Sequence, residues 1–180
     1  MGSTRDDAAG ESFDKVARKI GLGYPGGPKI DKLAKEGNPQ AIDFPRVMLE
    51  KGSYDFSFSG LKTAVLNYAH NLEQKGEEIN KADLAASFQD AVVDVLVEKS
   101  LMLLEETGYK QFAISGGVAA NSRLRARMGE ELEKRDIKFY YPETILCTDN
   151  AAMIAMAGYL DYKDGVRDDT FMKVYPNLDL

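Results

Sequence analysis

Three short stretches carry residue types whose spacing can do chemistry. The first, QFAISGGVAANSRLR at positions 111–125, runs an apolar segment into Gly116 and Gly117 and then into an asparagine-headed helix. Backbone N–H groups at such a turn, beside a helix amino terminus, hold phosphate or a polar adenosine group without a charged side chain. Only glycine lets the backbone come that close. Asn121 and Ser122 suit the helix cap and can also turn an amide toward a ligand, although a tight turn with an ordinary Asn cap accounts for the same residues. The second stretch, DKVARKIGLGYPGGPKID at 14–31, sets Gly26 and Gly27 between prolines, with Asp14 and Asp31 flanking them as acceptors for ribose hydroxyls. A stiff turn beside a solvated helix face is its plainer reading. The third, CTDNAAMIAMAG at 147–158, puts Asp149 and Asn150 at the start of a helix of small residues. Asp149 there is either a helix cap or a hard oxygen ligand for a metal.

Composition narrows the chemistry. The 180 residues are 44% hydrophobic and 29% charged, the balance of a soluble globular chain, and no apolar run is long enough to cross a bilayer or to serve as a leading signal segment. The cytoplasm is the expected compartment. Cys147 is the one cysteine and His70 the one histidine, so neither an intramolecular disulfide nor a two-histidine metal site can be built from this chain. A formal charge of -6 argues against nucleic-acid binding by the whole surface. Local basic clusters remain at Arg18 and Lys19 and along one helix at Arg123, Arg125, Arg127, Lys134 and Arg135. That helix reads either as a phosphate-facing stripe or as a solvated face balanced by Glu130, Glu131 and Glu133.

The elements that must position these stretches follow from periodicity. Phe13, Val16, Ala17 and Ile20 recur at helical spacing, after a capping-box signal at Thr4 and Asp7, and Gly21 or Gly23 ends the run. A short helix after the glycine-proline loop has Pro28 in its first turn and stops at Gly37, Asn38 and Pro39. YDFSFSG alternates like a short strand. From about Ser59 a helix carries Leu61, Ala64, Val65, Tyr68 and Leu72 on one stripe, with His70 facing water. The longest helix runs from about Lys81 to Thr107, with Leu84, Phe88, Ala91, Val92, Val95, Leu96 and Leu103 inward and Gly108 as its stop. A buried strand at Gln111 to Ser115, a helix with Leu124, Met128 and Leu132 at spacing four, a second short strand in IKFYYP and a helix from Ala151 to Tyr162 complete the chain. That order implies a parallel strand pair with a right-handed crossover.

Taken together, TRDDAAGESFDKVARKIGL, YPGGP, FSFSGLKTAV, ISGGVAANSRLR and CTDNAAMIAMAG resemble the TsaD family, historically the glycoprotease or O-sialoglycoprotein endopeptidase family. The resemblance implies an actin-like ATPase fold (ASKHA, ribonuclease H-like) shared with sugar kinases. It also implies transfer of a threonylcarbamoyl group from threonylcarbamoyl-adenylate to the adenosine following the anticodon of tRNA. By position, Asp14, Gly27, Asp31 and Asn121 match the family's substrate-binding residues, with Gly26, Gly116 and Gly117 as supporting nucleotide loops. Asp149 matches its aspartate ligand to an iron or zinc ion, and ATP or threonylcarbamoyl-adenylate is the implied ligand. Expected partners are tRNA and sister proteins of the TsaB and TsaE type, with no membrane.

The family's upstream H-x-x-x-H pair and S-G-G-H turn are absent, and the segment that opens this chain falls in mid-protein in the family. The expectation is therefore an α/β, predominantly helical chain: a partial actin-like fold lacking its amino-terminal lobe, with residues 1–180 as a single compact unit. No catalytic residue is assigned. The isolated chain is expected to be inactive, with the metal absent or weakly bound, and to self-associate through exposed sheet edges. A nucleotide-independent scaffold for partner proteins is the alternative from another class. A peptidase reading is weaker, for want of a paired histidine, and a phosphotransferase would need a base outside this chain.

Overall fold

The first helix, α1 (Ala9–Lys19), starts beyond its expected cap: Ala8 precedes it with no side-chain cap. Thr4 Oγ1 instead donates to the carbonyls of Asp6 and Asp7, at 3.4 and 3.1 Å, so the capping box does not form. The acidic pair beside it works across the chain. Asp6 Oδ1 accepts the N–H groups of Phe58 (2.8 Å) and Ser59 (3.2 Å), which open α3 (Ser59–Lys75), and Ser57 Oγ donates to its Oδ2. A carboxylate there satisfies orphan donors at the positive end of the helix dipole. The strand expected in YDFSFSG is reduced to an isolated parallel bridge between Thr4 and Phe56.

The computed structural model describes residues 2–47, 50, 52–167, 169, 171 and 173. After α1 comes α2 (Gly26–Ala34), and after α3 the long α4 (Lys81–Thr107), capped by the Asn80 side chain and ended by Gly108 in the left-handed region. Then follow β1 (Gln111–Ala113), a short 3-10 turn at Gly117–Ala120, α5 (Ser122–Glu133), β2 (Lys138–Tyr140) and α6 (Ala151–Lys163). β1 and β2 pair in parallel, with Phe112 opposite Phe139. The fold is thus mostly helical with a small two-stranded parallel sheet.

Helix α4 is the spine. Its first half packs Leu84, Phe88, Val92 and Val95 into a core with Phe13 and Val16 of α1, Ile30 of α2, and Leu61 and Val65 of α3. Its second half joins Val93, Val97, Leu101 and Leu104 to Leu124, Met128 and Leu132 of α5, with Phe112 and Phe139 against them. Two cores on opposite sides of one helix bury most of its circumference, which is why a single apolar stripe understates it. Leu101 and Leu104 are buried where Leu103 was expected to be. His70 is exposed, as its place off the α3 stripe implies.

The strand expected to be buried is buried on one face only. Phe112 and Phe139 turn inward with stacked rings 6.3 Å apart, while Gln111, Ala113, Lys138 and Tyr140 are exposed, because a sheet of two strands has a single packed side. Where one compact unit was expected, the chain divides into two, Met1–Cys147 and Thr148–Leu180. Among the described residues no helix is long and apolar enough to cross a membrane.

Candidate functional site

Within the first unit, residues singled out from distant parts of the sequence meet around the amino ends of α2 and α5. Asp14, on α1, accepts the Gly26 N–H at 2.6 Å and so takes up the first amide of α2. The fit is close enough to require glycine: a Cβ on Gly26 would stand 2.7 Å from Ala17 Cβ, Asp14 Cα and the Phe13 carbonyl oxygen. Gly27 has nothing within 4 Å of such a Cβ, so a side chain there would enter open space. Asp31, one helical turn further along α2, accepts from both the backbone N–H (3.2 Å) and Oγ (2.9 Å) of Ser122, the first residue of α5. The second carboxylate oxygen of Asp14 and of Asp31 has no hydrogen-bond partner among the described residues.

The double glycine leads into the same place. Gly116 has a φ of +82°, a backbone that residues with a Cβ seldom adopt, and it turns the chain after β1 into the Gly117–Ala120 turn. Both glycines are exposed. Asn121 follows, buried at 7% exposure. Its Oδ1 accepts the Leu124 N–H at 2.9 Å, capping α5, and its Nδ2 donates to Gln89 Oε1 of α4 at 2.7 Å. Most of the carboxamide is therefore engaged by the protein, leaving one Nδ2 hydrogen for a ligand. Gln89 was not expected here. Its signal is a polar residue inside the apolar run of α4, next to Phe88, which by itself does not disclose the partner.

The basic residues of α5 are mostly committed. Arg123 forks onto Asp90 Oδ1 at 3.0 and 2.8 Å, and Arg127 reaches Asp94 Oδ1 at 2.9 Å. Arg46 adds a third guanidinium to both carboxylates, 3.8 Å from Asp90 and 3.2 Å from Asp94. Arg125 points elsewhere, donating to the carbonyls of Ala119 and Pro142 and lying 4.4 Å from the Tyr141 ring centre. Arg135 and Lys134 pair with Glu131, whose carboxyl the Lys134 and Arg135 hydrogen bonds bring down to about 2. The helix is balanced, but chiefly by aspartates of α4 and by Glu131, rather than by Glu130 and Glu133.

Asp149 lies in the second unit and is exposed. The cap of α6 is Asn150, whose Oδ1 accepts the Met153 N–H at 3.1 Å, so the cap reading of Asp149 does not hold. Among the described residues no group of three or more His, Cys, Asp or Glu side chains could hold a metal ion. A single carboxylate does not fit a resident transition metal, which needs three or four protein ligands.

The family model for TsaD, described as tRNA N6-adenosine threonylcarbamoyltransferase, matches residues 1–156. The chain belongs to the TsaD family. Among curated TsaD relatives, tRNA N6-adenosine threonylcarbamoyltransferase of Clostridium beijerinckii is 55% identical over the whole chain and that of Desulfitobacterium hafniense 58%. The chain spans about half of their length, 53% in each case. Two solved structures share the fold at low identity. Full-length HypF in a phosphate- and nucleotide-bound form has a TM-score of 0.63 at 21% identity, covering 87% of this chain and 20% of HypF. HypF of T. kodakarensis has a TM-score of 0.61 at 22% identity, covering 88% of this chain and 20% of that one.

Proposed function

We propose that this chain is the carboxy-terminal portion of a tRNA N6-adenosine threonylcarbamoyltransferase, and that its first unit forms one wall of the site for ATP or threonylcarbamoyl-adenylate. The observation that carries the reading is the meeting of Asp14, Gly26, Gly27, Asp31, Asn121 and Ser122 around two helix amino termini, with exposed Gly116 and Gly117 leading into it. Backbone N–H groups at Gly27, beside the amino end of α2, and at the double glycine suit phosphate oxygens. The free oxygens of Asp14 and Asp31 suit the donors of a ribose. The relatives' activity as tRNA N6-adenosine threonylcarbamoyltransferases supplies the reaction class, transfer of threonylcarbamoyl to a tRNA adenosine.

In this reading the fold is part of an actin-like ATPase, and the other half of the protein closes the site from the opposite side. The iron or zinc expected from the resemblance would need ligands beyond Asp149. tRNA as acceptor, partners of the TsaB and TsaE type and a cytoplasmic setting rest on the resemblance.

The test is an ATP titration by calorimetry of this chain and of a chimera that supplies the remaining half from the Clostridium beijerinckii relative. Binding by the chimera, weakened about tenfold or more by Gly27→Ala with an unchanged melting temperature, supports the reading. A chimera that ignores ATP while still binding partner proteins sinks it and leaves the scaffold alternative.

A further inference from the structure

Asn121 holds a more constrained position than its place in a glycine-rich turn suggests. Its Oδ1 is fixed by the Leu124 N–H at 2.9 Å, which decides the orientation of the carboxamide. The atom facing α4 is therefore Nδ2, and the partner that receives it at 2.7 Å must be an acceptor, Gln89 Oε1. Gln89 in turn is 5% exposed and lies on the rigid spine helix, between Phe88 and Asp90. It forms part of the wall of a cleft of about 300 Å³ with Ala34, Lys35, Ser122 and Arg123. No other hydrogen bond of Gln89 holds it to the protein among the described residues, so its buried amide is committed to Asn121 alone.

We infer that Gln89 is the positioning residue for Asn121: by accepting one Nδ2 hydrogen from the spine side, it aims the other at the nucleotide site. This rests on the nucleotide reading given above. The physical ground is that a carboxamide held at both ends loses its rotation about χ2 before a ligand arrives, and the ordering cost is removed from binding. With Oδ1 alone engaged, the amide plane can tilt about the Leu124 contact and the free N–H is no longer directed. An apolar side chain at 89 would also leave Nδ2 buried without a partner.

The experiment has two independent readouts. In this chain, without ligand, the side-chain amide signals of Asn121 in a ¹⁵N spectrum report its bond to residue 89. In the chimera, an ATP titration reports the site. Gln89→Met removes the acceptor at nearly constant volume, and Gln89→Glu keeps one in either protonation state. The expected result is that Gln89→Met shifts the Asn121 amide signals and weakens ATP binding about five- to tenfold, whereas Gln89→Glu restores both. If Gln89→Met shifts the signals but leaves ATP affinity unchanged while Gly27→Ala weakens it, the positioning role is overturned and the nucleotide site stands. If the Asn121 signals do not move in Gln89→Met, the bond itself is refuted. If neither Gln89→Met nor Gly27→Ala changes ATP binding, the site reading fails and takes this inference with it. Should Gln89→Met not fold, Gln89→Glu decides alone: parent-like Asn121 signals with parent-like binding support the inference, and parent-like signals with weakened binding overturn it.

Discussion

Asp31 and Ser122 stand 91 positions apart in the sequence and are joined twice, the aspartate oxygen accepting both the backbone N–H and the hydroxyl of the serine. The pair locks the body of α2 to the start of α5, and the carboxylate occupies the positive end of the α5 dipole. A charge-assisted pair of this kind is worth more than a neutral hydrogen bond. Asp31→Ala should therefore lower the stability of the first unit by about 2 kcal/mol, read as a shift in the urea midpoint with an unchanged slope. Asp31→Asn keeps an acceptor and should lose about half as much. Equal losses in the two variants would mean that the charge contributes nothing at this helix end.

Gly26 and Gly27 are neighbours with opposite demands. A methyl group at Gly26 meets three atoms at 2.7 Å, two of them backbone, so α1 and α2 must part to admit it. Gly26→Ala should cost about 1–3 kcal/mol, as overpacking does. Gly27 has open space around its Cβ direction, and Gly27→Ala should leave stability within about 0.5 kcal/mol of the parent. Thermal melts of the two proteins check this directly. A Gly27→Ala protein that melts like the parent makes any lost ATP affinity a property of the site rather than of the fold.

Much of this arrangement is legible in the sequence because it is local. The span of α4, the Gly108 stop, the Asn121 cap and the parallel strand pair follow from periodicity and end signals that each element carries within itself. What escapes is non-local. The carboxylate that caps α3 comes from Asp6, more than fifty positions upstream, and so looks like part of the first helix's own cap. Asn150 rather than Asp149 caps α6, a one-residue choice that depends on backbone angles and not on residue type. Gln89 has no marking beyond polarity in an apolar run. The exposed face of β1 could not be foreseen from Gln111–Ser115, since a strand's apolar content does not state how many strands lie beside it.

One non-local feature does leave a trace. Asp90 and Asp94 on α4 have the same spacing of four as Arg123 and Arg127 on α5, and the two rows meet rung for rung. Arg46 joins both rungs from its own segment. The arginines keep about a third of their side-chain surface in solvent, so each pair is worth about 0.2–1 kcal/mol rather than the value of a buried ion pair. A double-mutant cycle with Asp94→Ala and Arg127→Ala should give a coupling in that range. It should fall when salt is raised from 0.05 to about 0.5 M. A coupling that does not respond to salt would mean that packing of the arginine stem, not charge, holds the rung.

Acid should act on the fold through Asp7. Its two oxygens accept from Lys15 at 2.9 Å and Lys62 at 2.6 Å, tying the segment before α1 to α3. The Lys62 hydrogen bond, followed by that of Lys15, brings the Asp7 carboxyl down from 3.8 to about 2. A carboxyl depressed on folding binds its proton more tightly in the unfolded chain. Its contribution is therefore present above the unfolded value and is lost as pH falls toward the folded one. Between about pH 4 and pH 2, the stability advantage of the parent protein over Asp7→Asn should shrink and nearly vanish. Urea unfolding of both proteins at pH 5, 4, 3 and 2.5 measures it. Other depressed carboxyls, Glu131 among them, contribute to the acid slope of both proteins and cancel in the difference. A gap that stays constant across this range would place the value of Asp7 in the shape of its side chain, and the two lysines would then be bystanders to its charge.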